Sequence, residues 1–260
     1  MIEQQIYNQA MNWVIEAGEL IKQLLQADLE VNIKASHADL VTIIDQKVET
    51  FIVDNIKRHY PEHNIVGEEG IANTSSSHTY LWIIDPIDGT TNMINRRQDF
   101  AISVAFCYEK IGVFGIVYDV MNNKLFHAFK NEGAFLNQSK LEMLPTARLE
   151  QQLLAFNLPW NELEYNVKWN SFFRLASSAR GIRVYGATTI ELCDIAIGKL
   201  GAFVQCSIKS WDYAASRVIL EEVGCVFSDL EGNEIDITYD GGIIVGTIQV
   251  HEQILQLLKK

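Results

Sequence analysis

The apolar run Tyr80-Leu81-Trp82-Ile83-Ile84, which gives way at once to Asp85-Pro86-Ile87-Asp88-Gly89-Thr90-Thr91-Asn92, constrains this chain more than any other segment. Consecutive aromatic and branched apolar residues suit a buried strand, and Asp-Pro predicts its end at a polar loop. Loops anchored by buried strand ends are where catalytic groups commonly sit. Pro86 fixes its own φ and biases Asp85 toward an extended backbone. Ile87 then offers a backbone carbonyl between two acids, and carboxylate and carbonyl oxygens are the ligands that hard divalent cations take. Gly89 permits close backbone approach, so the N–H groups that follow can meet an anion. A solvated type I turn would use the same residues, because Asp-Pro and Asp-Gly favour it. The rest of the chain weighs between the two.

The chain has 260 residues, enough for one large domain or two closely packed lobes, and 48% of them are hydrophobic, so it is globular rather than disordered. A formal net charge of −12, with no Lys/Arg cluster, argues against nucleic acid or an anionic membrane as partner. Met1 leads into a polar start without the apolar core of a secretion signal, and no segment approaches the ~20 apolar residues of a membrane helix. Cys107, Cys193, Cys206 and Cys225 are scattered, without a C-x-x-C pair or neighbouring histidines. They read as buried free thiols of a cytoplasmic protein, not as a zinc site or disulfide framework.

Helical spacing of Ile6, Ala10, Trp13, Val14, Ala17, Ile21 and Leu24 predicts a long amphipathic helix over 2–27. A second helix is expected from about 42 to 60, ended by Pro61, and then a short strand at Ile65-Val66-Gly67. Residues 73–77 read as a surface loop. Beta-rich runs at 102–107, 113–119 and 124–129, separated by turn residues, predict an antiparallel meander. Beyond about residue 145 the rhythm alternates: strands at 153–156 and 183–185 around a helix at 162–178, a helix at 188–197, an extended run at 202–205, a helix at 212–223, strands at 225–228 and 243–246, and a closing helix at 249–258. The fold class is α/β, an α+β first half (1–145) carrying most of the acidic motif and an α/β second half (146–260), read as sublobes sharing a cleft.

Two further acidic clusters stand out. Gly67-Glu68-Glu69-Gly70 follows the short strand, and Trp211-Asp212-Tyr213-Ala214-Ala215 opens a helix. Alone, each has an ordinary explanation: a solvated turn for the first, and for Asp212 a helix N-cap. Asp45 could likewise be an ordinary polar residue on the second helix, and Lys34 an ordinary surface lysine. Taken together with the eight-residue motif, and with Asp39-Leu40-Val41-Thr42 leading to Asp45 and Gly186-Ala187-Thr188, they resemble the inositol monophosphatase family of magnesium-dependent, lithium-sensitive sugar phosphatases. The resemblance spans the chain in order. It implies the five-layered αβαβα sandwich of that family, two to three Mg2+ ions, a homodimer, and a small phosphorylated metabolite as substrate.

Carried over by this resemblance, the first metal takes Glu68, Asp85 and the Ile87 carbonyl. The second takes Asp85, Asp88 and Asp212, and a weaker third ion rests on Glu68 through water. Glu68 and Thr90 orient the attacking water, Asp45 accepts the Thr90 hydroxyl, and Gly89 and Thr90 hold phosphate through their N–H groups. Lys34 tempers the acidic cluster. Magnesium suits a set of oxygen ligands with no His or Cys. In inositol-specific relatives an acidic residue seven positions before the Trp-Asp aspartate receives substrate hydroxyls; here it is Gln205, with Thr188 and Asn157 as further lining residues. The resemblance implies hydrolysis of a sugar or polyol phosphate, inositol 1-phosphate foremost, with NADP 2′-phosphate, fructose 1,6-bisphosphate or 3′-phosphoadenosine phosphate as alternatives. Haloacid-dehalogenase phosphatases also pair aspartates after a strand, but at D-x-D spacing, whereas two residues separate Asp85 and Asp88. A non-enzymatic, metal-binding regulatory protein is the remaining rival, and a hydroxyl–carboxylate pair for orienting water argues against it.

Overall fold

The computed structural model describes residues 2–26, 31–33, 40–70, 79–157 and 169–259. Its first half runs α1 (Ile2–Leu24), β1 (Val31–Ile33), β2 (Leu40–Thr42), α2 (Ile43–His59), β3 (Asn64–Gly67), β4 (Tyr80–Asp88), α3 (Thr90–Arg96), β5 (Ala101–Tyr108), β6 (Ile111–Asp119), β7 (Lys124–Phe129), β8 (Gly133–Leu136) and β9 (Ser139–Lys140). The second half continues β10 (Leu153–Asn157), α4 (Trp169–Ser178), β11 (Gly181–Arg183), α5 (Thr188–Ala196), β12 (Ala202–Ile208), α6 (Ala214–Glu221), β13 (Cys225–Asp229), β14 (Gly241–Thr247) and α7 (Ile248–Leu258).

Strands β3 to β9 form one sheet in sequence order, in which only β3 and β4 run parallel. The second sheet has the order β11-β10-β12-β14-β13, with β10 parallel to both its neighbours and β14 antiparallel to both of its own. Alternation along a strand sends successive side chains to opposite faces. Trp82 and Ile84 of β4 therefore join the core under α1 and α2, together with Val14, Ile21, Val48 and Ile52. Ile83, between them, faces the core that holds α5 and α6 and the inner face of the second sheet. Helices α4 and α7 close the outer face of that sheet through Phe172, Leu175, Val250 and Ile254. The layers are thus helix, sheet, helix, sheet, helix, as expected.

Several boundaries differ from expectation. Strand β4 does not end at Asp85 but runs on to Asp88. Asp85 lies opposite Ser103 and Asp88 opposite Ala101, so one extra residue bulges out of β4 between them. Pro86 falls inside this bulge, where no ladder N–H is demanded of it. Residues 90–92, expected within the polar loop, open α3, which runs to Arg96. Strands β8 and β9 extend the meander beyond 129, and the strand expected at 183–185 is β11, ending at Arg183. The helix expected over 212–223 is a 3-10 turn, Ser210–Asp212, followed by α6. The start of the helix expected at 162, the loop at 73–77, and Lys34 and Asp39 lie outside the described residues. All four cysteines are buried and free. Among the described residues no helix is long and apolar enough to cross a membrane.

Candidate active site

The bulge in β4 places two acids on adjacent stretches of buried backbone. Asp85 is 1% exposed and Asp88 is 8% exposed. The N–H of Ile87 donates to Asp85 Oδ1 at 2.9 Å, which folds the bulge around that carboxyl. Strand β3 lies parallel to β4 and ends beside it, so Glu68, the next residue, hydrogen-bonds the Asp85 carboxyl through its side chain. Burial pushes the Asp85 pKa well above the carboxylate range, and the negative charges of Glu68, Asp88 and Asp212 push it further.

Gly89 closes β4 with φ 89°, a left-handed conformation that favours glycine. A Cβ there would stand 2.9 Å from that of Ala187. The chain turns directly into α3, whose Thr90 hydroxyl lies 2.9 Å from Asp45 Oδ1 and 3.0 Å from the Ile87 carbonyl oxygen. The expected Thr90–Asp45 contact is therefore present. Asp45 is 1% exposed in the first turn of α2.

The middle helix layer completes the site. Asp88 accepts the Thr188 N–H on Oδ1 at 3.0 Å and the Thr189 N–H on Oδ2 at 2.6 Å, together with the Thr189 hydroxyl. Its carboxylate thus sits at the start of α5, where backbone N–H groups point outward. Burial still raises the Asp88 pKa, against these hydrogen bonds. Asn92 ties the corner together by donating to the carbonyls of Asp99 and Tyr185 at 2.9 and 2.8 Å. Asp212, in the 3-10 turn, accepts the Lys209 N–H at 3.0 Å. Burial and the Asp88 charge push its pKa to about 7. The N-cap of α6 is Tyr213, without a side-chain cap bond, so Asp212 does not serve as that helix's cap.

The structure thus brings Glu68, Asp85, Asp88 and Asp212 into electrostatic reach of one another, with the Thr90–Asp45 pair and the Ile87 carbonyl alongside. Among the described residues no three acidic, His or Cys side chains converge into a finished cage. Mg2+ keeps several waters and takes few carboxylates, so a loose, strongly anionic set of oxygens fits it. Gln205 lies on the second sheet. On β12, it pairs in register with Asn157 of β10 and donates from Nε2 to the Ser207 carbonyl at 2.6 Å. Its Oε1 and the Asn157 Oδ1 are buried without a hydrogen-bond partner among the described residues. A cavity of about 370 Å³ bordered by Arg96, Lys124, Tyr185 and Lys199 contains none of the four acids.

The model of the inositol monophosphatase family matches residues 2–260. The chain belongs to the inositol monophosphatase family. It is 35% identical over 248 residues to the inositol-1-monophosphatase of Bacillus subtilis (strain 168), covering 95% of this chain and 94% of that protein. A structure of an IMPase/NADP phosphatase complexed with Mg2+ and phosphate superposes with TM-score 0.90 at 29% identity, over 99% of this chain and 96% of the other. A structure of SaIMPase-II with inositol monophosphate bound gives TM-score 0.84 at 32% identity, covering 96% and 92%. This inositol monophosphatase family member is accordingly an enzyme, a phosphatase, and its family is Mg2+-dependent.

Two residues of this phosphatase's site escaped the sequence reading. Thr189 supplies two of the donors on Asp88. Glu191, 0% exposed on α5, accepts the Tyr185 N–H and, at 2.6 Å, the Asn157 amide. The available signal was a charged residue placed among the apolar positions of a helix.

Proposed function

We propose that this phosphatase hydrolyses the phosphate monoester of a small polyol or sugar, inositol 1-phosphate foremost, by direct attack of water. The convergence of Glu68, Asp85, Asp88 and Asp212 beside the Thr90–Asp45 pair carries this reading. Glu68, Asp85 and the Ile87 carbonyl would hold one Mg2+. Asp85, Asp88 and Asp212 would hold a second, and Glu68 a weaker third through water. When bound, the magnesium supplies activation of water and neutralisation of charge on the phosphoryl oxygens. Asp45 accepts the hydrogen bond of the Thr90 hydroxyl, which leaves the Thr90 lone pairs free to accept from the attacking water, with Glu68 helping to orient it. The N–H groups of Gly89 and Thr90 hold phosphate oxygens, and Thr188 lines the substrate beside Asp88. Family membership supports action as a homodimer, which light scattering after size exclusion would test.

At the alcohol end Gln205 stands where a carboxylate would select neutral polyols. Its neutral amide and unpartnered Oε1 favour a second reading, in which NADP 2′-phosphate, fructose 1,6-bisphosphate or 3′-phosphoadenosine phosphate is preferred. Phosphate release from inositol 1-phosphate and these three, with and without EDTA, tests both. The highest kcat/KM on inositol 1-phosphate supports the first reading and on NADP the second. No turnover on any of them would reject both in favour of a metal-binding regulatory role. Heavy-oxygen label entering Asp85 instead of phosphate would replace direct attack with an aspartyl-phosphate mechanism.

A further inference from the structure

Helix α2 carries two fully buried acids four residues apart, Asp45 at 1% and Glu49 at 0% exposure. Residues so spaced lie on one face of a helix, one turn apart. Asp45 meets Thr90. Glu49 meets the turn after β3, where its Oε2 accepts the Glu69 N–H at 2.8 Å. Its carboxyl group also lies flat against Gly67: a Cβ on that glycine would sit 2.7 to 2.9 Å from both oxygens and from Cδ. Glu68 lies between the two contacts, with its own side chain exposed.

We infer that Glu49 is a positioning residue that clamps the Gly67-Glu68-Glu69 turn and thereby sets where the Glu68 carboxyl meets Asp85. The inference rests on the role proposed above for Glu68. One rigid helix then holds both groups that orient the attacking water: Asp45 fixes Thr90, and Glu49 fixes Glu68. The clamp works through a hydrogen-bond acceptor and close fit against a glycine, so an amide oxygen at the same place should replace it. It also explains why position 67 needs a residue without a side chain.

The test compares Glu49→Leu, Glu49→Gln and Gly67→Ala by Mn2+ binding to substrate-free protein, followed by electron paramagnetic resonance, and by kcat, KM and Tm. Loss of an outer partner of a metal-ligating group typically costs about 10- to 100-fold in affinity or activity. Glu49→Leu and Gly67→Ala should each weaken Mn2+ binding and lower kcat on that scale, with little change in KM, and Glu49→Gln should recover most of the loss. In a Glu68→Gln background, Glu49→Leu should add no further loss of kcat. Glu49→Leu that lowers only Tm, or whose effect adds fully to that of Glu68→Gln, would overturn the inference. Should Glu49→Leu not fold, Gly67→Ala with wild-type Mn2+ binding would overturn it equally. Mn2+ binding needs no turnover, so a protein that binds Mn2+ yet hydrolyses no phosphomonoester rejects the proposed function and leaves the Glu49 inference decided on its own readout.

Discussion

Asp212 and Glu191 have carboxyl groups whose pKa values burial pushes to about 7. In an unfolded chain such groups titrate near pH ~4. Between roughly 4 and 7 the folded protein therefore binds more protons than the unfolded one, and stability falls as pH rises through that window. Asp85 and Asp88 are raised as well and act in the same sense. His63, His127 and His251 are pulled below their usual range by burial, which gives the opposite slope at pH values up to about 6.5. Above that the carboxyls dominate. In EDTA, Tm should fall from pH 6.5 to pH 8, and Mg2+ should restore it more at pH 8, because ligands bind metal deprotonated. Asp212→Asn should flatten part of the slope and cut turnover by ~100-fold or more. A Tm in EDTA that stays level across this range would contradict the assignment. At the other end of the site, Gln205→Glu should raise the kcat/KM ratio of inositol 1-phosphate over NADP, since a carboxylate repels an additional phosphate by about 1 kcal/mol in a solvated cleft. An unchanged ratio would place Gln205 away from substrate.

Among the elements, α6 is the one whose sequence makes sense only from its packing. Ala214 and Ala215 are fully buried, and α6 lies so close on β6 that a Cβ on Gly115 would stand 2.1 Å from the Ala215 carbonyl oxygen. The alanines that follow Trp211-Asp212 therefore serve close approach of helix to sheet, while the turn before them delivers Asp212. Overpacking of a tight core typically costs about 1–3 kcal/mol. Gly115→Ala should cost at least that much, because it meets backbone and not a side chain that can swing away. Urea denaturation checks this, and a variant as stable as the parent would mean that α6 can shift outward freely. The long elements were legible in the sequence: the apolar periods of α1 and α2 and the β-rich runs of β5 to β7 lie near their predicted places. The bulge in β4 was not, because it exists only as a mismatch of register against β5. Thr189 and Glu191 were missed for a similar reason, since their partners Asp88 and Asn157 lie far away in sequence. The acids of the site were legible because three short motifs had to occur together, whereas the surroundings of Gln205 depend on a pairing with Asn157 that no local pattern announces.

At the scale of the molecule, two sheets divide the interior into three separate cores. The groups proposed to act on phosphate hang from elements of the first two: α2 and β4, and the starts of α5 and α6. The core under α4 and α7 contains, among the described residues, fewer buried residues than either of the others. Regions with fewer buried apolar contacts open at lower free energy than the global transition. Amides of α4 and α7 should therefore exchange with deuterium well before those of β4, β5 and α6, and equal protection in all would contradict this. Gln205 and Asn157 sit on β12 and β10, the strands over which that outer layer closes. On the proposed assignment, the bond-breaking chemistry is anchored where the protein should open last, and the choice of alcohol is made beside the part that should open first. Substitutions that retune selectivity can accumulate there at little cost to the reaction itself.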